Sequence, residues 1–122
     1  MKNRKVVGVG KIIAILVLSL GVVHDIATFT PLIKNGKSTI SPVIIYFSLM
    51  CGTSLILSGL LQFVMLRKID QISFLRVPML IIGIFLALSG ILSVIYMPEN
   101  PFAWAALLIN LSMFAVALKI SL

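Results

Sequence analysis

The sequence predicts an all-α integral membrane protein, a four-helix up-down bundle with both termini in the cytoplasm. The composition and the spacing of the apolar runs carry this prediction. Hydrophobic residues make up 61% of the 122 residues and charged residues 11%, against about 45–50% and 25% in soluble domains. Such a chain has too little polar surface to cover a water-soluble globule. The lipid bilayer is therefore its expected solvent.

Four apolar stretches are each long enough to cross a bilayer. The hydrocarbon core is about 30 Å thick, which takes about 20 apolar residues in a helix. Short connections between spans favour antiparallel neighbours. The first stretch has no small-residue cleavage pattern, so we expect it to be retained and not removed as a signal peptide. A single transmembrane domain over residues 1–122 is predicted, with spans at about 12–30, 42–66, 77–96 and 101–119.

Local signals mark where the predicted helices begin and end. We expect the first helix to end at Pro31 and the polar stretch KNGKST (34–39). Ser41 and Asn100 are each followed by a proline. A polar N-cap followed by proline at the first helical position is typical of a helix start. We therefore expect the second and fourth helices to begin there.

The basic residues predict the orientation in the membrane. The N-terminal segment, the second loop and the C-terminal segment together carry eight lysines and arginines, whereas the first and third loops carry two. Cytoplasmic loops carry the excess of such residues, so both termini are expected in the cytoplasm and the protein in the inner (plasma) membrane. The basic clusters flank apolar runs, so we interpret them as membrane anchors and not as a nucleic-acid interface. The eight are Lys2, Arg4, Lys5, Lys11, Arg67, Lys68, Arg76 and Lys119.

The second and third spans share a pattern of small residues. The segments GTSLILSGLLQ (52–62) and GIFLALSGILS (83–93) each carry two glycines seven residues apart, near two helical turns. Small residues on one face let helices approach closely in lipid. The pattern indicates either an internal duplication or the packing stripes of a tight bundle. The glycines expected at helix contacts are Gly52, Gly59, Gly83 and Gly90.

His24 and Asp25 stand out near the end of the first span. His24 follows Ile12 by twelve residues, about 18 Å along a helix, which predicts a place in the outer half of the membrane. A charge at the helix centre costs roughly 2.5–3.5 kcal/mol and less toward the interface, so Asp25 needs no functional explanation. Gly21, His24 and Thr28 are spaced i, i+3, i+7 and are predicted to share one face. Asp25 is turned from His24 by about 100°.

These residues predict a small polar pocket. His24 either hydrogen-bonds to a neighbouring helix or faces a cavity where it holds a ligand. Asn110, near the centre of the fourth span, either bonds between helices or lines a polar pathway with His24. Trp104 is expected at the outer interface. The candidate ligand-binding residues are Gly21, His24, Asp25, Thr28, Asn110 and Trp104.

The residue types present argue against metal and nucleophilic chemistry. One histidine, one cysteine and three carboxylates cannot build a closed zinc site, and we predict no metal site. The serines lack a convincing base and orienting group, so no catalytic residue is assigned and an enzyme is not favoured. Haem ligated by His24, or a quinone head group beside it, are the cofactors left open.

Three segments together resemble a known group of proteins. They are GVVH (21–24), IIYFSLMCGTSLILSGLL (44–61) and MPENPFAW (97–104). The chain resembles a group of short, uncharacterised bacterial four-span proteins that are related in outline to the DoxX-like membrane proteins. The resemblance implies a compact four-helix bundle with His24 near a polar pocket on the outer side, bounded by the turn at 98–104. It implies no established activity.

Three functions are weighed from the sequence. The leading one is a non-enzymatic membrane protein whose polar pocket near His24 binds a small molecule or redox partner, or which serves as an accessory subunit of a larger membrane complex. The alternative is a minimal transporter or channel, working as a homo-oligomer, with Asp25, His24 and Asn110 along its pathway. The third is a haem- or quinone-linked redox component.

Overall fold

The described part of the chain forms four α-helices. The computed structural model describes residues 4–35 and 40–122, of which residues 31–35 by their backbone alone. All of the regular structure in these ranges is helical, and each of the four long helices is long and apolar enough to cross a membrane. The all-α, four-helix prediction is confirmed. The helices are α1 (Arg4–Asn35), α2 (Pro42–Lys68), α3 (Arg76–Tyr96) and α4 (Pro101–Ser121), with a short 3₁₀ turn (Ser73–Leu75) before α3.

The first helix is longer than predicted at both ends. α1 begins at Arg4, before the predicted start at Ile12, and continues through Pro31 to Asn35. Pro31 therefore does not end the helix. Proline removes one N–H and with it one backbone hydrogen bond, here the bond to the Ala27 carbonyl, and the helix continues for about one more turn. Residues 36–39 of the predicted break lie outside the described residues.

The predicted starts of α2 and α4 are confirmed by their caps. The Ser41 hydroxyl accepts a hydrogen bond from the Val43 N–H at 3.4 Å. The Asn100 side-chain oxygen accepts one from the Phe102 N–H at 3.0 Å. Each cap satisfies one of the N–H groups that the first helical turn leaves without a partner, and in each helix a proline follows the cap.

The helices are antiparallel, and one seam between them is open. α1 packs against both α2 and α4, and α3 packs against α4, whereas α2 contacts α3 far less. The order around the bundle is therefore α2, α1, α4, α3. We call the end that holds the start of α2 and the turn between α3 and α4 the upper end. Gln62, which is fully buried, donates a hydrogen bond from Nε2 to the Met79 carbonyl at 2.9 Å, joining α2 and α3 in their lower half.

Glycines bring α1 and α2 into backbone contact. A Cβ atom added at Gly21 would lie 2.5 Å from the Gly52 carbonyl oxygen, and one added at Gly59 would lie 2.6 Å from the Leu18 nitrogen. Real Cβ atoms do not approach backbone so closely. The stripe of small residues on α2 therefore faces α1.

The matching stripe on α3 faces α4. A Cβ added at Gly90 would lie 2.9 Å from the Leu107 Cα, and one added at Gly83 would lie 3.1 Å from the Ala117 Cβ. Each of the two similar segments thus packs against its own partner helix and not against the other segment. This pairing leaves the seam between α2 and α3 without such a contact.

The bundle is apolar outside as well as inside. Large hydrophobic side chains on every helix are exposed on its outer surface, for example Phe47 on α2 at 65%. The interior is narrow and filled partly by small side chains such as Ala14 and Ala117. Among the residues whose burial the structure describes, the polar side chains of Ser58, Gln62 and Asn110 are buried as well.

Candidate ligand-binding site

A small cavity lies between the helices in the upper half of the bundle. Its volume is about 80 Å³. One water needs about 10–15 Å³ of such space, so the cavity has room for several waters or for one small polar group. We call it the polar chamber. Its polar lining side chains are those of His24, Cys51, Ser89, Ser93, Asn100 and Asn110.

Asn110 lines the chamber with an amide that has no partner. Its side chain is 1% exposed, and neither Nδ2 nor Oδ1 makes a hydrogen bond. Leaving a buried polar group unpaired costs about 1–3 kcal/mol. Asn110 thus does not form the hydrogen bond between helices that was one of its two predicted roles. The amide instead offers a donor and an acceptor at the chamber wall.

His24 lines the chamber and packs against α4. Its ring lies 5.6 Å from the ring of Phe102, centroid to centroid, at an angle of 46°. Its Nδ1 atom is buried and makes no hydrogen bond. The distance from Nδ1 to the Asp25 Oδ1 is 3.7 Å, which is too long for a hydrogen bond. The His24 Nδ1 atom on α1 is therefore a second buried polar atom without a hydrogen-bond partner.

Asp25 lies on a different side of α1, against α2. Its Oδ2 accepts a hydrogen bond from the Thr53 hydroxyl at 3.3 Å. Its carboxylate occupies the space that a Cβ at Gly52 would fill. Asp25 does not line the chamber. Its contacts are those of a residue that joins α1 to α2.

Thr28 and Gly21 belong to the same α2-facing side. The Thr28 hydroxyl lies 2.9 Å from that of Ser48 on α2 and also donates to the His24 carbonyl at 3.0 Å. The face that meets α2 is thus Gly21, Asp25 and Thr28, and His24 lies beside it, turned toward α4. The predicted grouping of Gly21, His24 and Thr28 on one site face does not describe this arrangement, because α1 packs between two helices and its polar residues divide between them.

Trp104 fixes the turn above the chamber without lining it. Its indole N–H donates to the Pro98 carbonyl at 2.8 Å, and the side chain is half exposed. Met97 and Asn100, in the same turn, do line the chamber. Of the six candidate residues, the structure brings together His24 and Asn110 at the chamber. Gly21, Asp25, Thr28 and Trp104 surround this site but are not part of its wall.

Two serines of α3, Ser89 and Ser93, belong to the chamber wall, whereas the sequence alone indicates packing residues or serines bonded to their own helix and not site residues. Ser93 donates a hydrogen bond to the Ser89 carbonyl at 2.8 Å, the usual arrangement of a serine within a helix. Their spacing of four residues places both on one face of α3. That spacing is a signal available in the sequence, but nothing in the sequence shows which helix they face.

A wider apolar groove adjoins the chamber between α2 and α3. Its volume is about 530 Å³. It shares with the chamber the lining residues Cys51, Leu55, Ser89, Ser93 and Met97. Its remaining lining is mostly large and apolar, including Phe85, Leu88 and Leu92. We call it the α2–α3 groove. It lies at the open seam of the bundle.

No cluster of three or more metal-ligating side chains is present among the described residues. No family model, curated protein or solved structure matches the chain. The resemblance to DoxX-like proteins therefore stays a prediction.

Proposed function

We propose that this is a multi-pass membrane protein that binds a small molecule by placing a polar group of that molecule in the chamber. One observation carries the proposal. The Asn110 amide is almost completely buried, has no hydrogen-bond partner and lines the same small cavity as His24. The role proposed is binding, either as a receptor-like protein or as an accessory subunit of a larger membrane complex.

Four apolar helices with apolar outer surfaces support the membrane placement. Backbone groups in lipid must be satisfied within the protein, which helices achieve. The distribution of lysine and arginine favours the lower end on the cytoplasmic side. The chamber and the groove, in the upper half, then lie in the outer half of the plasma membrane.

The energetic cost of Asn110 supports a ligand-binding role. An unpaired buried amide costs about 1–3 kcal/mol, whereas an apolar side chain of similar shape at that position would avoid this cost. Unfavourable local interactions of this kind are common at functional sites, where they lower the stability of the fold but are needed for activity. A ligand group that hydrogen-bonds to the amide would recover part of the loss on binding.

The geometry gives less support to a transport pathway and to a haem site. A pathway through Asp25, His24 and Asn110 would need Asp25 at the chamber, but its carboxylate lies at the α1–α2 contact and bonds to Thr53. The chamber is also smaller than the roughly 300–1,000 Å³ of usual ligand pockets, so a haem beside His24 does not fit within it.

Native mass spectrometry tests the proposal on protein extracted from membranes with a mild detergent. We expect the wild-type chain to carry a non-covalent small-molecule adduct and Asn110→Leu to lose it. Ser112→Ala is the matched control, because Ser112 lies on the same helix, is exposed and bonds only to its own helix backbone. It should keep the adduct. A wild-type chain without an adduct, or equal occupancy in Asn110→Leu, would contradict the proposal.

A further inference from the structure

We infer that the ligand is a single-chain amphiphile with an uncharged, oxygen-bearing head group, whose head occupies the polar chamber and whose chain occupies the α2–α3 groove. This inference rests on the proposed binding function and names its ligand class. Its two parts come from different observations, the first from the sizes of the two spaces and the second from the distribution of polarity and charge along their walls.

The sizes indicate that one ligand uses both spaces. The chamber, at about 80 Å³, is well below the range of about 300–1,000 Å³ that is usual for small-molecule pockets. The groove, at about 530 Å³, lies within it. Cys51, Leu55 and Ser89 are among the side chains that line both. The two spaces therefore lie side by side and share part of their walls, and we place the two ends of one molecule in them.

Polarity is concentrated at the inner end. The chamber is lined by the Asn110 side chain, whose donor and acceptor are free, and by His24. The groove is walled mainly by large apolar side chains, such as those of Phe85, Leu88 and Leu92. A molecule with an apolar chain and a polar end fits this arrangement, because its chain contacts the apolar groove and its polar end contacts the polar chamber.

The charges around the chamber favour an uncharged head. Among the described residues, no lysine or arginine lines the chamber or the groove. His24, which lines the chamber, lies 3.7 Å from the acidic side chain of Asp25, so an anionic head group beside His24 would also lie near that acidic group. A buried phosphate or carboxylate head would be left without a counter-charge, which is costly. A hydroxyl or a carbonyl needs only the hydrogen bonds that Asn110 offers.

The open seam supplies a route from the lipid. α2 and α3 are joined in their lower half by the bond from Gln62 to the Met79 carbonyl, and the groove lies above it. In the proposed membrane placement an amphiphile of the outer leaflet enters sideways between the two helices. A second copy of the chain would cover the groove with apolar helix surface but would leave the Asn110 amide unpaired, so we assign the groove to the amphiphile.

Cys51 provides the test, because it is the one cysteine of the chain, is exposed and lines both spaces. The experiment measures the rate at which N-ethylmaleimide labels Cys51 in nanodiscs that hold one protein each. Two neutral probes are added, 1-dodecanol and a decyl-substituted benzoquinone, together with dodecanoic acid in its charged form as the matched anionic probe.

At ten times its dissociation constant, an occupying probe should slow labelling about ten-fold by mass action. We expect 1-dodecanol, the decyl benzoquinone or both to do so, and dodecanoic acid to have no effect. Slowing by the quinone alone identifies a quinone head, and slowing by both identifies any neutral oxygen-bearing head. Asn110→Leu and the groove-filling Leu88→Trp should each abolish the slowing, whereas Ser112→Ala should keep it.

Three results would overturn the inference: no slowing by either neutral probe, equal slowing by dodecanoic acid, or slowing that appears without a probe when two copies share a nanodisc. The last result would assign the groove to a second copy. If the adduct in native mass spectra depends on Asn110 while no probe slows labelling, the proposed binding function stands and the inference of an amphiphilic ligand is wrong. If the adduct is also absent, both the binding function and the inferred ligand class are wrong.

Discussion

The Nδ1 atom of His24 and the Oδ1 atom of Asp25 lie 3.7 Å apart, yet the two side chains serve different helix contacts. Asp25 bonds to Thr53 on α2, and His24 packs on Phe102 of α4 and lines the chamber. Their adjacency in the sequence suggests a pair that works together. The structure instead gives Asp25 a part in joining α1 to α2 and places His24 at the chamber wall.

The two properties of His24, its ring and its polar nitrogen, are separable by substitution. His24→Phe keeps an aromatic ring against Phe102, a contact worth about 0.5–1.5 kcal/mol, but removes the polar ring nitrogens of a residue that lines the chamber. We expect its melting temperature to stay near that of the wild type while the ligand adduct is lost. His24→Ala should lose both stability and adduct. If His24→Phe keeps full adduct occupancy, His24 acts by packing alone.

The contact of Gly52 with Asp25 predicts a large effect of one methyl group. A Cβ at Gly52 would strike the Asp25 carboxylate and lie 3.0 Å from the Gly21 carbonyl oxygen. Gly52→Ala should therefore lower the free energy of unfolding by about 1–3 kcal/mol, the usual cost of overpacking. The measurement is unfolding by sodium dodecyl sulfate followed by circular dichroism.

Gly8 offers the matched control for this substitution. No atom lies within 4 Å of a Cβ placed there, so Gly8→Ala should stabilise the helix by about 0.5–1 kcal/mol. In an Asp25→Ala background the cost of Gly52→Ala should fall, because one of its two obstacles is gone. Equal effects of Gly8→Ala and Gly52→Ala would contradict the close α1–α2 contact.

The membrane orientation follows from the loop charges and is testable with single cysteines. In a Cys51→Ala background, Glu99→Cys lies in the exposed turn between α3 and α4 at the upper end and Ser121→Cys at the lower end. A membrane-impermeant maleimide added to whole cells should label position 99 and should label position 121 only after lysis. Labelling in the reverse order would place the chamber in the inner half of the membrane.

Local signals in the sequence are enough to predict the four helices and the starts of α2 and α4. Ser41 and Asn100 cap α2 and α4 as expected, because a cap depends on neighbours within a few residues. Pro31 is the exception, since α1 runs on past it to Asn35. The loss of one hydrogen bond is a local cost that the rest of a long helix can absorb, and its outcome is not evident from the sequence alone.

The site is less predictable because it depends on which helix lies beside which. Helical periodicity gives the angle between Gly21, His24 and Thr28 around α1, but not that α2 and α4 divide that surface between them. The meeting of His24 with Asn110 is a contact between the first and fourth helices and has no short motif. The α2–α3 groove arises because the similar stripes at Gly52 and Gly83 each pack on their own partner helix.

Asn110 and Gln62 form a pair of buried amides whose replacement should have different effects. Asn110 has no hydrogen bond, so Asn110→Leu removes only unpaired polar atoms. Gln62 has one unpaired oxygen, but its Nε2 bonds to the Met79 carbonyl. Such interhelical bonds are worth about 0.6 kcal/mol on average. Gln62→Met should therefore lose that bond and show little or no net gain in stability.

The free energy of unfolding of Asn110→Leu, measured beside the wild type after delipidation, tests most directly whether Asn110 is kept for a ligand at the expense of stability. We predict that ligand-free Asn110→Leu is more stable than ligand-free wild type by about 1–3 kcal/mol, and by more than Gln62→Met. A loss of stability in Asn110→Leu would contradict the account, because it would show that the Asn110 amide stabilises the ligand-free protein.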